Sequence, residues 1–150
     1  MLKNEKGFTI MELVLIILLT ALFVSGALYT RKQVGRRQLY STARDIQTLI
    51  RVAQDGAYGE QNVHGINFYP NSQECVHIRN YRIVKEIKIP NTIKMEPTSF
   101  PNNKLRFSSK LSPSRGGTIK LCSRSHEVRI TVLPVTGRVK IYPIQRKRGN

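Results

Sequence analysis

Tryptophan is absent from this chain of 150 residues, cysteine occurs twice, histidine three times, and acidic side chains number only nine. These shortages exclude most chemistry. Cys75-x-His77 is too short a fragment to define a zinc site, and Cys122 is the one further thiol that could complete it. The histidines His64, His77 and His126 have no Ser/Asp constellation and no HExxH-type spacing around them, so they read as satisfied or surface side chains. No glycine-rich phosphate loop occurs; Arg115-Gly116-Gly117 reads as a hairpin turn. The pattern calls for no cofactor, no metal and no catalytic residue. Internal repeats and low-complexity tracts are missing too.

Two further absences carry structure. Residues 13–30 contain no charged side chain, and at a helical rise of about 1.5 Å they span about 27 Å, close to a bilayer's hydrocarbon core. Residues 8–55 contain no proline, so nothing breaks a helix that starts in the apolar run and continues past it. Beyond Thr30, Leu39, Ala43, Ile46, Ile50 and Ala53 recur at spacings of three and four, with Arg37, Arg44, Gln47 and Arg51 opposite. Gly56 and Gly59 supply the stop.

After that stop the period changes from helical to two. Ile66/Phe68, Val76/Ile78, Ile87/Ile89, Ile93/Met95, Leu105/Phe107, Ile119/Leu121, Val128/Ile130/Val132 and Val139/Ile141 alternate with polar neighbours. Pro70-Asn71, Pro90-Asn91, Pro101-Asn102-Asn103, residues 113–117 and Thr136-Gly137 mark the turns. The expected fold is α+β: an antiparallel sheet with one face in solvent and the amphipathic half of the helix on the other. The length suits one small head domain on a helical stalk, and not two domains.

Charge is lopsided at +16, with 25 Lys and Arg. Residues 52–99 balance Arg79, Arg82, Lys85, Lys88 and Lys94 against Asp55, Glu60, Glu74, Glu86 and Glu96. Arg31, Lys32, Arg36 and Arg37 crowd the end of the apolar run, and the carboxyl-terminal third sets a long series of cations against Glu127 alone. There Arg138 and Lys140 alternate on one expected strand, and Arg146-Lys147-Arg148 follow in an expected mobile tail. Such a cluster can neutralise several phosphates, with affinity falling as salt rises. A solvated basic face that meets an acidic neighbour or the cell wall explains it equally. Tyr142 is the one aromatic interleaved, so sequence-selective or single-strand binding is not indicated.

The segment Lys6-Gly7-Phe8-Thr9-Ile10-Met11-Glu12 stands directly before the apolar run, and Glu12 places a carboxylate where burial in lipid costs a few kcal/mol. A short basic leader, a Gly-Phe junction and a lone glutamate five residues on resemble the processing site of type IV prepilins and pseudopilins. Further on, Gly65-Ile66-Asn67-Phe68, Leu105-Arg106-Phe107, Gly116-Gly117-Thr118-Ile119-Lys120-Leu121 and Thr136-Gly137-Arg138-Val139 resemble the H-type branch of pseudopilins and minor pilins. The chain departs from that branch in lacking its frequent tryptophan.

The resemblance implies a leader (1–7) removed by a prepilin peptidase between Gly7 and Phe8, with Phe8 then N-methylated. It implies a hydrophobic membrane and assembly helix (8–30), an amphipathic continuation (31–55) and a β-rich head with a basic tail (56–150). Phe8 and Glu12 would dock the subunit beside other pilins in a pilus, secretion or DNA-uptake filament, from a precursor held in the inner membrane with its head outside. H-type minor pilins that bind double-stranded DNA do so through a Gly-Arg-x-Arg/Lys stretch, which here is Gly137 to Lys140. Three other readings compete. A secretory signal cut at Ser25-Gly26-Ala27 would leave Glu12 inside its apolar core. A plain single-span anchor carrying a basic binding module explains the length, but neither Gly7-Phe8 nor Glu12. At Glu12 itself, simple complementing of the helix dipole is the bland alternative. Cys75 and Cys122 lie beyond the membrane segment; an exported bridge would add about 4 kcal/mol by closing a long loop, and two separately buried thiols fit as well.

Overall fold

The structure is a computed structural model that describes residues 9–108 and 113–147, with side chains left out for 26–34. Two compact units divide the chain, residues 1–34 and 35–150. A single helix, α1, covers Ile10–Gly59. Thr9 caps it: its hydroxyl oxygen accepts a 3.3 Å hydrogen bond from the Glu12 amide, the Thr-x-x-Glu spacing of a capping box. In the first unit the described apolar side chains of α1 point outward all round.

In the second unit, α1 turns a continuous stripe inward. Leu39, Ala43, Ile46, Ile50 and Ala53 are each 0 % exposed, and Leu49 and Ala57 extend the stripe. Arg37, Arg44 and Arg51 face solvent as their spacing requires. Gln47 does not. It is half-buried, and its Nε2 donates to the Val139 carbonyl oxygen at 3.1 Å. Helix propensity at position 47 says nothing about a carbonyl 92 positions away, so the period alone put this residue on the wrong side. The helix also runs a turn beyond Asp55, through Gly56 to Gly59.

The strands fall where the alternation puts them, but they form two sheets, where one was expected. They are β1 (His64–Tyr69), β2 (Glu74–Arg79), β3 (Arg82–Lys88), β4 (Lys94–Met95), β5 (Lys104–Phe107), β6 (Gly117–Cys122), β7 (His126–Val132), β8 (Val139–Ile141) and β9 (Gln145–Arg146). The first sheet has the order β3-β2-β1-β5; the second has β4-β6-β7-β8, with β9 also on β7. All pairings are antiparallel. Since β5 pairs with β1 and β6 with β7, residues 113–117 carry the chain from one sheet to the other. The hairpin reading of Arg115-Gly116-Gly117 therefore fails. Gly117 lies under the Phe100 ring, where an added Cβ would come within 2.5 Å of Cε1. Phe100 in turn stacks on Phe68, with ring centroids 5.5 Å apart.

One core joins the helix stripe to the inner faces of both sheets: Ile66, Phe68, Leu105 and Phe107 from the first, Ile119, Leu121, Val128, Ile130 and Val132 from the second. Burying each such side chain contributes about 1.5–3 kcal/mol. The outer face of the first sheet is less wet than expected. Along β1 only Tyr69 is exposed, because the Arg106 side chain lies over Gly65 and Asn67 donates to the Tyr69 hydroxyl at 3.1 Å.

Candidate functional site

The amino-terminal constellation is only partly in view. Gly7 and Phe8 lie outside the described residues. Glu12 sits exposed in the first turn of α1, three residues after its cap. Around and beyond it Ile10, Leu15, Leu18, Leu22 and Phe23 are 56–85 % exposed. Among the described residues no helix is long and apolar enough to cross a membrane. The side chains of residues 26–30, the last five of the uncharged run, lie outside the description. What the sequence reading missed here is Thr9: the capping-box spacing was legible beside Glu12.

The basic residues converge on one edge of the second sheet. β8 pairs with β7 at residues 130–132 and β9 pairs with the same strand at 126–127, so both occupy the edge that β6 leaves open. Arg138, Lys140, Arg146 and Lys147 are exposed along it. Arg148 lies outside the described residues. The expected mobile tail needs correcting: Arg146 is strand, opposite His126, and the Lys147 amide donates to the Ser125 carbonyl at 2.9 Å. Backbone hydrogen bonding to an open sheet edge outweighed the charge repulsion of adjacent cations. Lys140 Nζ sits 4.9 Å from the Tyr142 ring centroid, a cation–π contact that leaves the ammonium facing water.

A concavity lined by Lys147 adds two cations that the sequence reading did not single out. Lys94 and Arg124 line it with Glu96 and Cys122, around about 600 Å³. Nearby, Lys120 is held 3.1 Å from Glu127 and 3.4 Å from Glu96. The Glu127 hydrogen bond raises the Lys120 pKa. Desolvation pushes Glu96 upward, but hydrogen bonds from the Cys122 thiol and Lys120 outweigh it, and its net shift is downward. The second sheet's outer face is therefore mixed near β6 and positive along β8 and β9.

The cysteines are separate. Cys75 lies in the first sheet with its Sγ 3.9 Å from Met95 Sδ, while Cys122 lies in the second and donates to Glu96 at 3.3 Å. Both are free and buried. Of the two alternatives, the bridge between Cys75 and Cys122 is the one to correct: the strands that carry them belong to different sheets, and each thiol has another neighbour. Burial pushes Cys75 up to about 12, and burial together with Glu96 pushes Cys122 up to about 11, so neither is a ready nucleophile.

Two histidines meet one another, a pairing that the reading of satisfied or surface side chains did not specify. His64 and His77 are each 2 % exposed, and they face one another, Nδ1 to Nε2, at 3.0 Å. His126 is instead at the surface, with Nδ1 2.9 Å from the Ser125 hydroxyl. Among the described residues no group of three or more His, Cys, Asp or Glu is placed to hold a metal ion.

No protein-family model and no curated protein matches the sequence. Solved structures do match in three dimensions. The minor pseudopilin EpsH from the type 2 secretion system of Vibrio cholerae superposes with a TM-score of 0.59 at 9 % identity, covering 70 % of this chain and 96 % of that one. A second EpsH structure gives 0.59 at 9 % identity over 77 % and 99 %. The type IV minor pilin FimU of Pseudomonas aeruginosa gives 0.61 at 12 % identity over 72 % and 90 %. At such identities the likeness speaks for architecture: this chain shares the α+β fold of the minor pseudopilin EpsH and the type IV minor pilin FimU.

Proposed function

We propose that this chain is a minor pilin or pseudopilin, a structural subunit and not an enzyme, that assembles beside other pilins through the apolar part of α1. The observation that carries this reading is the outward-facing apolar surface of residues 10–25 in a chain whose other unit has the minor-pilin fold. Such a surface needs lipid or other helices around it. A precursor held in the inner membrane by residues 8–30 supplies the first, and a filament supplies the second. A prepilin peptidase cuts between Gly7 and Phe8, and the new amine of Phe8, N-methylated, meets the Glu12 carboxylate of its own or a neighbouring subunit. In a low-dielectric helix bundle, that pairing is strongly favoured over two separated charges. Reversing the charge with Glu12→Lys should leave processing intact and abolish incorporation into filaments, read from sheared surface fractions. A mutant that is processed and incorporated normally rules out the docking role.

A second activity is proposed for the carboxyl-terminal edge, on the exposed row of Arg138, Lys140, Arg146 and Lys147. The row suits the phosphate backbone of duplex DNA, with no base readout. A gel shift across a salt series is the test. Binding should weaken as salt rises, and its slope against log salt should shallow by about one unit for each cation neutralised. Equal affinity of wild type and the Arg138→Gln, Lys140→Gln, Arg146→Gln triple variant would exclude it.

A further inference from the structure

Each nitrogen of the buried His64–His77 pair can be accounted for. Between His64 Nδ1 and His77 Nε2, 3.0 Å apart, there is room for one hydrogen, so one ring donates and the other accepts. The Glu60 carboxylate decides which. Its Oε2 lies 3.4 Å from His64 Nε2, at ion-pair range without an aligned hydrogen bond, and favours a proton on that nitrogen. His64 Nδ1 is then the acceptor and His77 Nε2–H the donor. His77 Nδ1 is left with a bare lone pair, buried without a hydrogen-bond partner among the described residues.

A further proton on His77 has no good place to go. On Nδ1 it creates a buried N–H with no acceptor among the described residues, and it puts a charge on a ring that is 2 % exposed.

The pair sits where the carboxyl-terminal end of α1 meets β1 and β2. Gly56 presses on the His64 ring so closely that an added Cβ would lie 2.6 Å from Cε1. Arg79 on β2 closes the arrangement, its Nη1 donating to both Glu60 oxygens at 3.0 and 2.9 Å. The other charged groups around it are Asp55 on α1, Lys85 of β3 opposite His77, and Arg106 of β5 on the far side of Gly65. Burial first, then the nearby His64 and Arg79, depress the His77 pKa, with Glu60 pulling the other way.

We propose that the His64–His77 contact is an acid-sensitive latch, which holds the carboxyl-terminal end of α1 to the first sheet while His77 is neutral and releases it when His77 takes up a proton. The direction follows from linkage. A base depressed on folding binds its proton more readily in the unfolded chain. Its contribution to stability is complete above the unfolded value of about 6.5, and is lost as pH falls below that value toward the folded one.

The test uses the full chain in detergent micelles. Between pH 7.5 and 5.5 the unfolding equilibrium constant of wild type should rise through His77, by at most about tenfold for one histidine, and amides near residues 56–66 should lose protection before the rest of the core. His77→Gln keeps a donor toward His64 but cannot gain the proton, so its pH dependence should flatten; His126→Gln should keep the wild-type slope. Equal slopes for wild type and His77→Gln would overturn the proposal. Should that variant not fold, imidazole NMR of the native protein decides. Depressed titration of His77 supports the latch, and titration of His77 near pH 6.5 with unchanged amide protection overturns it.

Discussion

Gln47 Nε2 donates a 3.1 Å hydrogen bond to the carbonyl oxygen of Val139, joining the middle of α1 to the edge strand β8. This bond anchors the strand that carries Lys140 and directly follows Arg138. Gln47→Ala removes the donor and leaves a part-buried carbonyl without it, at a cost of about 1 kcal/mol. Urea unfolding monitored by circular dichroism reads that value; a midpoint equal to wild type would show that water replaces the side chain fully.

Val135, in the turn between β7 and β8, has φ +73° and is 80 % exposed. A β-branched residue crowds its own backbone in the left-handed region, whereas asparagine tolerates it. Val135→Asn should stabilise the fold by about 1 kcal/mol, seen as a higher thermal midpoint. A lower midpoint would mean that the valine side chain contributes more packing than the turn loses in strain.

The two thiols should behave independently and sluggishly. With Cys75 raised to about 12 and Cys122 to about 11, native protein at pH 8 should react slowly with a thiol reagent and rapidly once denatured. Reductant should leave the thermal midpoint unchanged. A drop in midpoint with reductant would reveal a bridge.

At the end of α1, Arg79 donates to Glu60 and lowers its pKa from the model-compound value of 4.5, with the nearby His64 acting in the same direction. A depressed carboxylate stabilises the fold above its unfolded value and loses that contribution as pH falls through the folded one. The stability advantage of wild type over Arg79→Gln should therefore hold at pH 6 and shrink below about pH 4.5, beneath the window in which the histidine pair acts. An advantage that grows on acidification would contradict the pairing.

Much of this was legible because hydrophobic period is a local property. The inward stripe of Leu39, Ala43, Ile46, Ile50 and Ala53, and the alternation in β1 and β5 to β8, follow from which side chains must leave water; in β2 the core phase belongs to Cys75 and His77, and not to Val76 and Ile78 as expected. Pairing is not local. Period two identifies Leu105/Phe107 and Ile119/Leu121 as strands, yet cannot say that one pairs with β1 and the other with β7. Polar contacts at long range were equally hidden, as Gln47 shows. The histidine pair lay between: His64 keeps phase with Ile66 and Phe68, and His77 with Cys75, so both occupy inward positions. That phase could have marked them as buried, although nothing in it says that they meet. Backbone capture of Arg146 by β7 was masked by charge, which reads as solvent-seeking whether or not the main chain is paired.

The central claim is that the apolar helix survives maturation as the assembling element. Amino-terminal mass spectrometry of the mature protein tests it most directly. The expected product begins at Phe8, carries an N-methyl group and retains residues 13–30. A mature form that begins near Ala27, or one that still begins at Met1, would contradict the account.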